Sequence, residues 1–317
     1  MGEGPRLGVG IAIPQALGSG RPDAAETSRY LERVRAVARR AEELGYEGGW
    51  VHEQVVGDRR LVEPVVLLAY VSALTSELGL GCSVFVLPYR QPVTFAKQLA
   101  GLDLMSGGRL TVGLGIGHSD ERAPALGAAR GRRAARFEEA MEVMGRLWAG
   151  GPVDFAGEFL RLEGVEVDGG PLQRPRPRLW LGGHAEPALR RAVRHADGWM
   201  GAGASGPEAF ASQLQMVRRL LEEEGRDPET FALSKRVYVM VDEDGARARG
   251  RLVGTAAAAS GVAGRPEDVT ERLEELLAAG LDHLLIDPVD AHAEHLEALA
   301  PLASRGSPGA GGAGGAG

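Results

Sequence analysis

Strand-like apolar runs alternate with helix-like amphipathic runs along this 317-residue chain, and that alternation limits the possible folds more than any other feature. Strands are expected over 6–13, 48–51, 78–86, 109–116, 178–181, 198–200, 231–241 and 283–287. Helices are expected over 24–44, 63–76, 92–105, 132–148, 186–195, 207–224, 266–279 and 290–300. Strand–helix alternation implies parallel strands. Eight repeats of it favour a closed (β/α)8 barrel, a single TIM barrel of class α/β, over an open doubly wound sheet. Two insertions interrupt the rhythm, one after strand 4 and one after strand 7. Residues 150–177 read as a small hairpin, with strands 153–155 and 159–162 around Gly157, followed by the proline-rich QRPRPR. Residues 242–265 are rich in Ala, Gly and Arg, which suits a functional lid and a disordered excursion equally. No composition break marks a domain boundary, so 1–303 is expected to form one barrel domain. Residues 304–317, ending GAGGAGGAG, read as a flexible tail.

Composition narrows the class of partner. A net charge of −7 argues against nucleic acid, and no run of about twenty apolar residues offers a membrane span. Lys97 and Lys235 are the only lysines among 36 basic residues. A GC-rich genome accounts for that bias, although guanidinium forks also suit phosphate and carboxylate ligands. One cysteine, Cys82, excludes an internal disulfide and fits a reducing compartment. With no secretory signal in MGEGPRLGVG, the expected location is cytoplasmic.

Two strand ends are rich in glycine. RLWLGGHAEPALRRAVRHADGW runs from an apolar strand through Gly182-Gly183 into a helix opened by Glu186-Pro187. Glycine lets backbone come close to a ligand, proline suits a first helical turn, and free amides at a helix start favour an anion. RLTVGLGIGH ends in alternate glycines, Gly113, Gly115 and Gly117, a spacing that differs from the dinucleotide fingerprint. Reactive groups of a (β/α)8 barrel gather at the C-terminal ends of its strands. That rule selects His52 and Glu53, the stretch Cys82–Val84, His118, His184 and Asp287. Three of seven histidines thus fall on one rim. His195, His283, His292 and His295 lie in helices or at a strand start and read as structural or surface residues. His292 and His295 share a helix face but lack a third metal ligand, so no metal site is expected.

LDLMSGGRLTVGLGIG, RGRRAARFEEAMEVMGRLWAG, PVDFAGEFLRLEG and LQRPRPRLWLGGHAEPALRRAVRHADGW together resemble the luciferase-like family of flavin- and deazaflavin-dependent oxidoreductases, over roughly residues 6–300. The resemblance implies that the cofactor ring rests on a bulge in strand 3 at a non-prolyl cis peptide, matching Ser83-Val84. It places the cofactor phosphate on backbone amides matching Gly182, Gly183, His184 and Ala185, with Gly115 and Gly117 beside them. After strand 2 the family often carries Asp-His, and the matching pair here is Glu53-Gln54, with His52 one place earlier. Gln54 cannot titrate, so the family's proton shuttle is absent or moved. His118 then stands first as the proton-transfer group, with His52 and Glu53 behind it. Arg130, Arg132, Arg133 and Arg136 read equally as a solvated cluster or as a clamp for phosphate or polyglutamate, the latter favouring F420.

Three functions compete. The first is hydride transfer between coenzyme F420 and a small organic substrate. The second is an FMN-dependent two-component monooxygenase that uses O2 and a separate flavin reductase. The third is a non-catalytic flavin-binding protein. Deazaflavin carries carbon where FMN has N5 and activates oxygen poorly, so cofactor identity decides the reaction class. A homodimer is expected.

Overall fold

A computed structural model of the chain describes residues 8–18, 21–56, 60–119, 121, 123–128 and 130–304. Eight parallel strands form its centre: β1 (Gly8–Ala12), β2 (Gly48–Val51), β3 (Gly79–Cys82), β4 (Leu110–Gly115), β5 (Arg178–Gly182), β6 (Gly198–Gly201), β7 (Ala232–Val241) and β8 (His283–Pro288). Each pairs with its neighbour in sequence, and β8 returns to pair with β1 through Gly8↔His283 and Ile11↔Ile286. The barrel is therefore closed, as the eightfold alternation implies.

Two tryptophans fill the interior. Trp50 and Trp180 stack with centroids 5.4 Å apart, and both are almost fully buried. Glycines on the two neighbouring strands make the room: a Cβ at Gly10 would stand 2.5 Å from Trp50 Nε1, and one at Gly81 2.4 Å from its ring. Val84 packs on this pair from the C-terminal side. With the interior filled, a guest can approach only at the mouth. Helices sheathe the barrel, and the larger core cluster lies between them and the strands.

Several helices fall close to where the sequence places them. Pro92–Met105 and Glu186–His195 match to the residue, and Ala24–Glu43, Pro207–Glu223 and Pro266–Ala278 end one residue early. Other segments differ from expectation, among them helix Pro64–Ser72, which stops four residues short of the expected 76. The hairpin strands are Val153–Ala156 and Arg161–Val165, because Glu139 accepts the amides of Glu158, Phe159 and Leu160 and holds those residues as the turn. Residues 242–265 are folded. Helix Gly245–Leu252, N-capped by Asp244, buries Ala248 and Leu252 against Met240, and strand Val262–Gly264 adds to β7. The last helix starts late, at His292 after Ala291 takes a positive φ of 45°, and divides at Leu299 into His292–Ala298 and Ala300–Ser304. Ser304 thus ends a helix, while residues 305–317 of the expected tail lie outside the described residues. Among the described residues no helix is long and apolar enough to cross a membrane.

Candidate active site

The single strand expected over 78–86 is interrupted. β3 stops at Cys82, the Ser83–Val84 peptide is cis, and pairing with β4 resumes at Phe85–Val86. Between the pairs Gly81↔Thr111 and Phe85↔Leu114, β3 advances four residues while β4 advances three, which is a one-residue bulge. The Val84 side chain fills space left by glycine: a Cβ at Gly115 would meet it at 2.5 Å, and one at Gly182 at 3.1 Å. Three positions assigned to the cofactor, Val84, Gly115 and Gly182, thus converge on one part of the rim.

A charged cluster borders the bulge. His52 leaves the end of β2, and Gln15 locks its backbone: Gln15 Nε2 donates to the His52 carbonyl at 2.6 Å, and its Oε1 accepts the His52 amide at 2.8 Å. His52 Nε2 lies 3.1 Å from Asp287 Oδ2 on β8. From β7, Arg236 Nη1 reaches both His52 Nδ1 and the Ser83 carbonyl at 3.2 Å, while Nη2 donates to Tyr238 Oη. Burial pushes the Asp287 carboxyl up, but His52, Arg236 and His292 together outweigh it and hold the group below the usual carboxylate range. Burial also drives His292 down to about 4, against the pull of Asp287.

The remaining candidates lie around this cluster in different roles. The Glu53 side chain is only 1% exposed; it accepts the Val86 amide, and Arg90 Nε donates to it at 2.9 Å. Its carboxylate therefore props the bulge from behind. Cys82 is fully buried, which pushes its thiol well above the ordinary range. His118 and His184 are exposed on the loops after β4 and β5, outside the hydrogen-bonded cluster. The helix after β5 opens at Ala185 with no side-chain cap; Pro187 lacks an amide and Ala188 donates to the Ala185 carbonyl, so Glu186 is the first-turn residue whose amide is left to an outside acceptor. Trp199, fully buried, donates its Nε1 to the Gly183 carbonyl at 2.8 Å and so fixes that loop. Among the arginines, Arg132 and Arg136 both lie over the Phe159 ring, and Arg133 donates to the Gly117 carbonyl at 2.7 Å. These contacts brace the hairpin and the glycine loop.

Sequence reasoning missed Arg236 and Tyr238, and it set His292 aside as structural. A usable signal was present, since Ser234, Arg236 and Tyr238 alternate along an apolar strand and so share one face. Asp287 did stand on the rim by position alone.

Gln54 Oε1 is buried without a hydrogen bond, while His52 Nε2 and Arg236 Nε have only the shared Asp287 carboxylate before them, at 3.1 and 3.6 Å. Native interiors rarely leave such groups unpaired, so the mouth is suited to a polar guest or to water. The chain matches the family described as luciferase-like monooxygenase over residues 9–276. It belongs to that family. A phthiodiolone/phenolphthiodiolone dimycocerosates ketoreductase of a Mycobacterium species is 30% identical over 259 residues, covering 74% of this chain and 65% of that protein. Other mycobacterial relatives are 34% identical over 175 residues, where the match spans 59% of their length. Among solved structures, monooxygenase RslO1 from Streptomyces bottropensis superposes with a TM-score of 0.80 at 23% identity, covering 94% of this chain and 98% of that one. The coenzyme F420-dependent tetrahydromethanopterin reductase from Methanopyrus kandleri follows with 0.75 at 18%, covering 93% and 97%.

Proposed function

We propose that the protein is an F420-dependent oxidoreductase that interconverts a carbonyl and an alcohol on a small organic substrate. One observation carries this reading: His52, paired with Asp287, is held by Arg236 against the carbonyl of the cis peptide at the barrel mouth. Hydride addition to a carbonyl leaves an alkoxide that needs a proton, and an imidazole in that position can supply it. The name of the ketoreductase relative supports the same substrate class.

The cofactor supplies the hydride-carrying ring when bound, and the protein binds, orients and moves the proton. Ser83 and Val84 would seat the ring. The amides of Gly182, Gly183, His184 and Ala185 would hold its phosphate beside Gly115 and Gly117. His52 holds and transfers the proton, while Glu53 keeps the bulge in place through the Val86 amide. His118 becomes the second candidate for proton transfer.

A second reading, FMN-dependent oxygenation fed by a separate reductase, draws support from the RslO1 likeness. The test is anaerobic mixing of the protein with reduced F420 and a panel of ketones, following the absorbance of oxidised F420. The proposal expects F420 oxidation to match alcohol formed. No oxidation with any ketone, together with oxygenated product from reduced FMN and O2, would establish the second reading instead.

A further inference from the structure

His52 Nδ1, Arg236 Nη1 and the Ser83 carbonyl oxygen form a triangle with every side 3.2 Å. A guanidinium can only donate. When the ring is neutral, Nδ1 therefore accepts from Arg236, and the ring proton sits on Nε2, facing Asp287 at 3.1 Å. The opposite tautomer would turn the Nε2 lone pair toward a carboxylate and crowd two donors onto one carbonyl oxygen. When the ring is charged, Nδ1–H has the Ser83 carbonyl as its acceptor, and Nε2–H stays with Asp287. Both partners that Nδ1 needs in its two states are thus already in place, and the ring need not move.

We propose that Arg236 is a positioning residue that fixes His52 in the Nε2–H tautomer, and that Nδ1 is the nitrogen that exchanges the proton. This rests on the reading of His52 as the proton-transfer group and extends it. The guanidinium is itself held firmly. Tyr238 Oη accepts from Nη2, and the loop after β6 closes over Nε so tightly that a Cβ at Gly203 would stand 2.8 Å from it. The charged or titratable groups facing His52 are Arg236 from β7, Asp287 from β8 and His292 from the helix after β8.

The experiment is a 15N-histidine NMR titration of the whole chain without cofactor, with the His52 signals assigned by their loss in His52→Gln. Above the titration midpoint, wild-type Nδ1 should show the shift of an unprotonated nitrogen and Nε2 that of a protonated one. In Arg236→Gln that preference should be lost, because the donor that Nδ1 accepts from has gone. Arg236→Lys, which keeps a cationic donor, should restore the wild-type tautomer. A neutral wild-type ring with its proton on Nδ1 would overturn the proposal, as would an unchanged tautomer in Arg236→Gln. If Arg236→Gln does not fold, the wild-type tautomer and the lysine variant decide. Failure of the underlying functional reading looks different: His52→Gln would turn over reduced F420 and ketone at the wild-type rate while the wild-type tautomer stood as described.

Discussion

His52 and Glu53 are adjacent in sequence, yet the fold gives them different surroundings. His52 faces the mouth, so His52→Gln should lower F420-linked turnover by about 10²–10⁴-fold, the usual worth of general acid–base catalysis. His118→Ala should change it little; a large loss there with wild-type turnover in His52→Gln would reverse the assignment. Glu53 points into the wall. Glu53→Ala leaves buried Arg90 facing Glu63 alone and frees the Val86 amide, and breaking such a pair costs about 3–5 kcal/mol. Thermal unfolding should show that loss as a clearly lower Tm. From the sequence alone the two residues could not be separated, because both follow the same strand end. The difference comes from Arg90 on one side and from Arg236 and Asp287 on the other, all distant in the chain.

Elements follow the sequence where a stop or start is local. Pro92 and Pro187 open their helices at the expected place because a missing amide costs nothing in the first turn. The segment 242–265 was not legible, since its order depends on Met240, on pairing with β7 and on ion pairs such as Arg251–Asp290. None of these shows in local composition. The diglycine loop also has a second constraint. A Cβ at Gly183, where φ is +154°, would stand 2.6 Å from the Ala188 Cβ, so this glycine lets strand and helix pack as well as leaving room for a ligand. Gly183→Ala should therefore cost about 1–3 kcal/mol by overpacking and weaken cofactor binding with it. Calorimetry and a cofactor titration on the same variant check both. At the other side of the mouth, His292 is neutral when folded and titrates near 4, below its ordinary 6.5. The unfolded chain binds the extra proton first, so this contribution to stability is complete above about pH 6.5 and is lost as pH falls toward 4. Urea unfolding of His292→Gln should show a flatter pH dependence across that window than wild type.

At the scale of the whole molecule, the filled interior and the glycine-lined rim confine chemistry to one end of the barrel. Alternation of strand and helix made that end identifiable before any coordinates. The family resemblance pointed to Ser83-Val84, and the cis peptide and bulge lie there. Spacing places Arg236 on one face of β7 with Ser234 and Tyr238, but it could not reveal that this arginine joins the bulge to His52. The proposed use of F420 at this rim is decided by equilibrium titration of the purified protein with F420 and with FMN, each in both oxidation states. The expected dissociation constant for F420 is lower by about tenfold or more, a difference of about 1.4 kcal/mol or greater. Tighter binding of FMN in either oxidation state would contradict it.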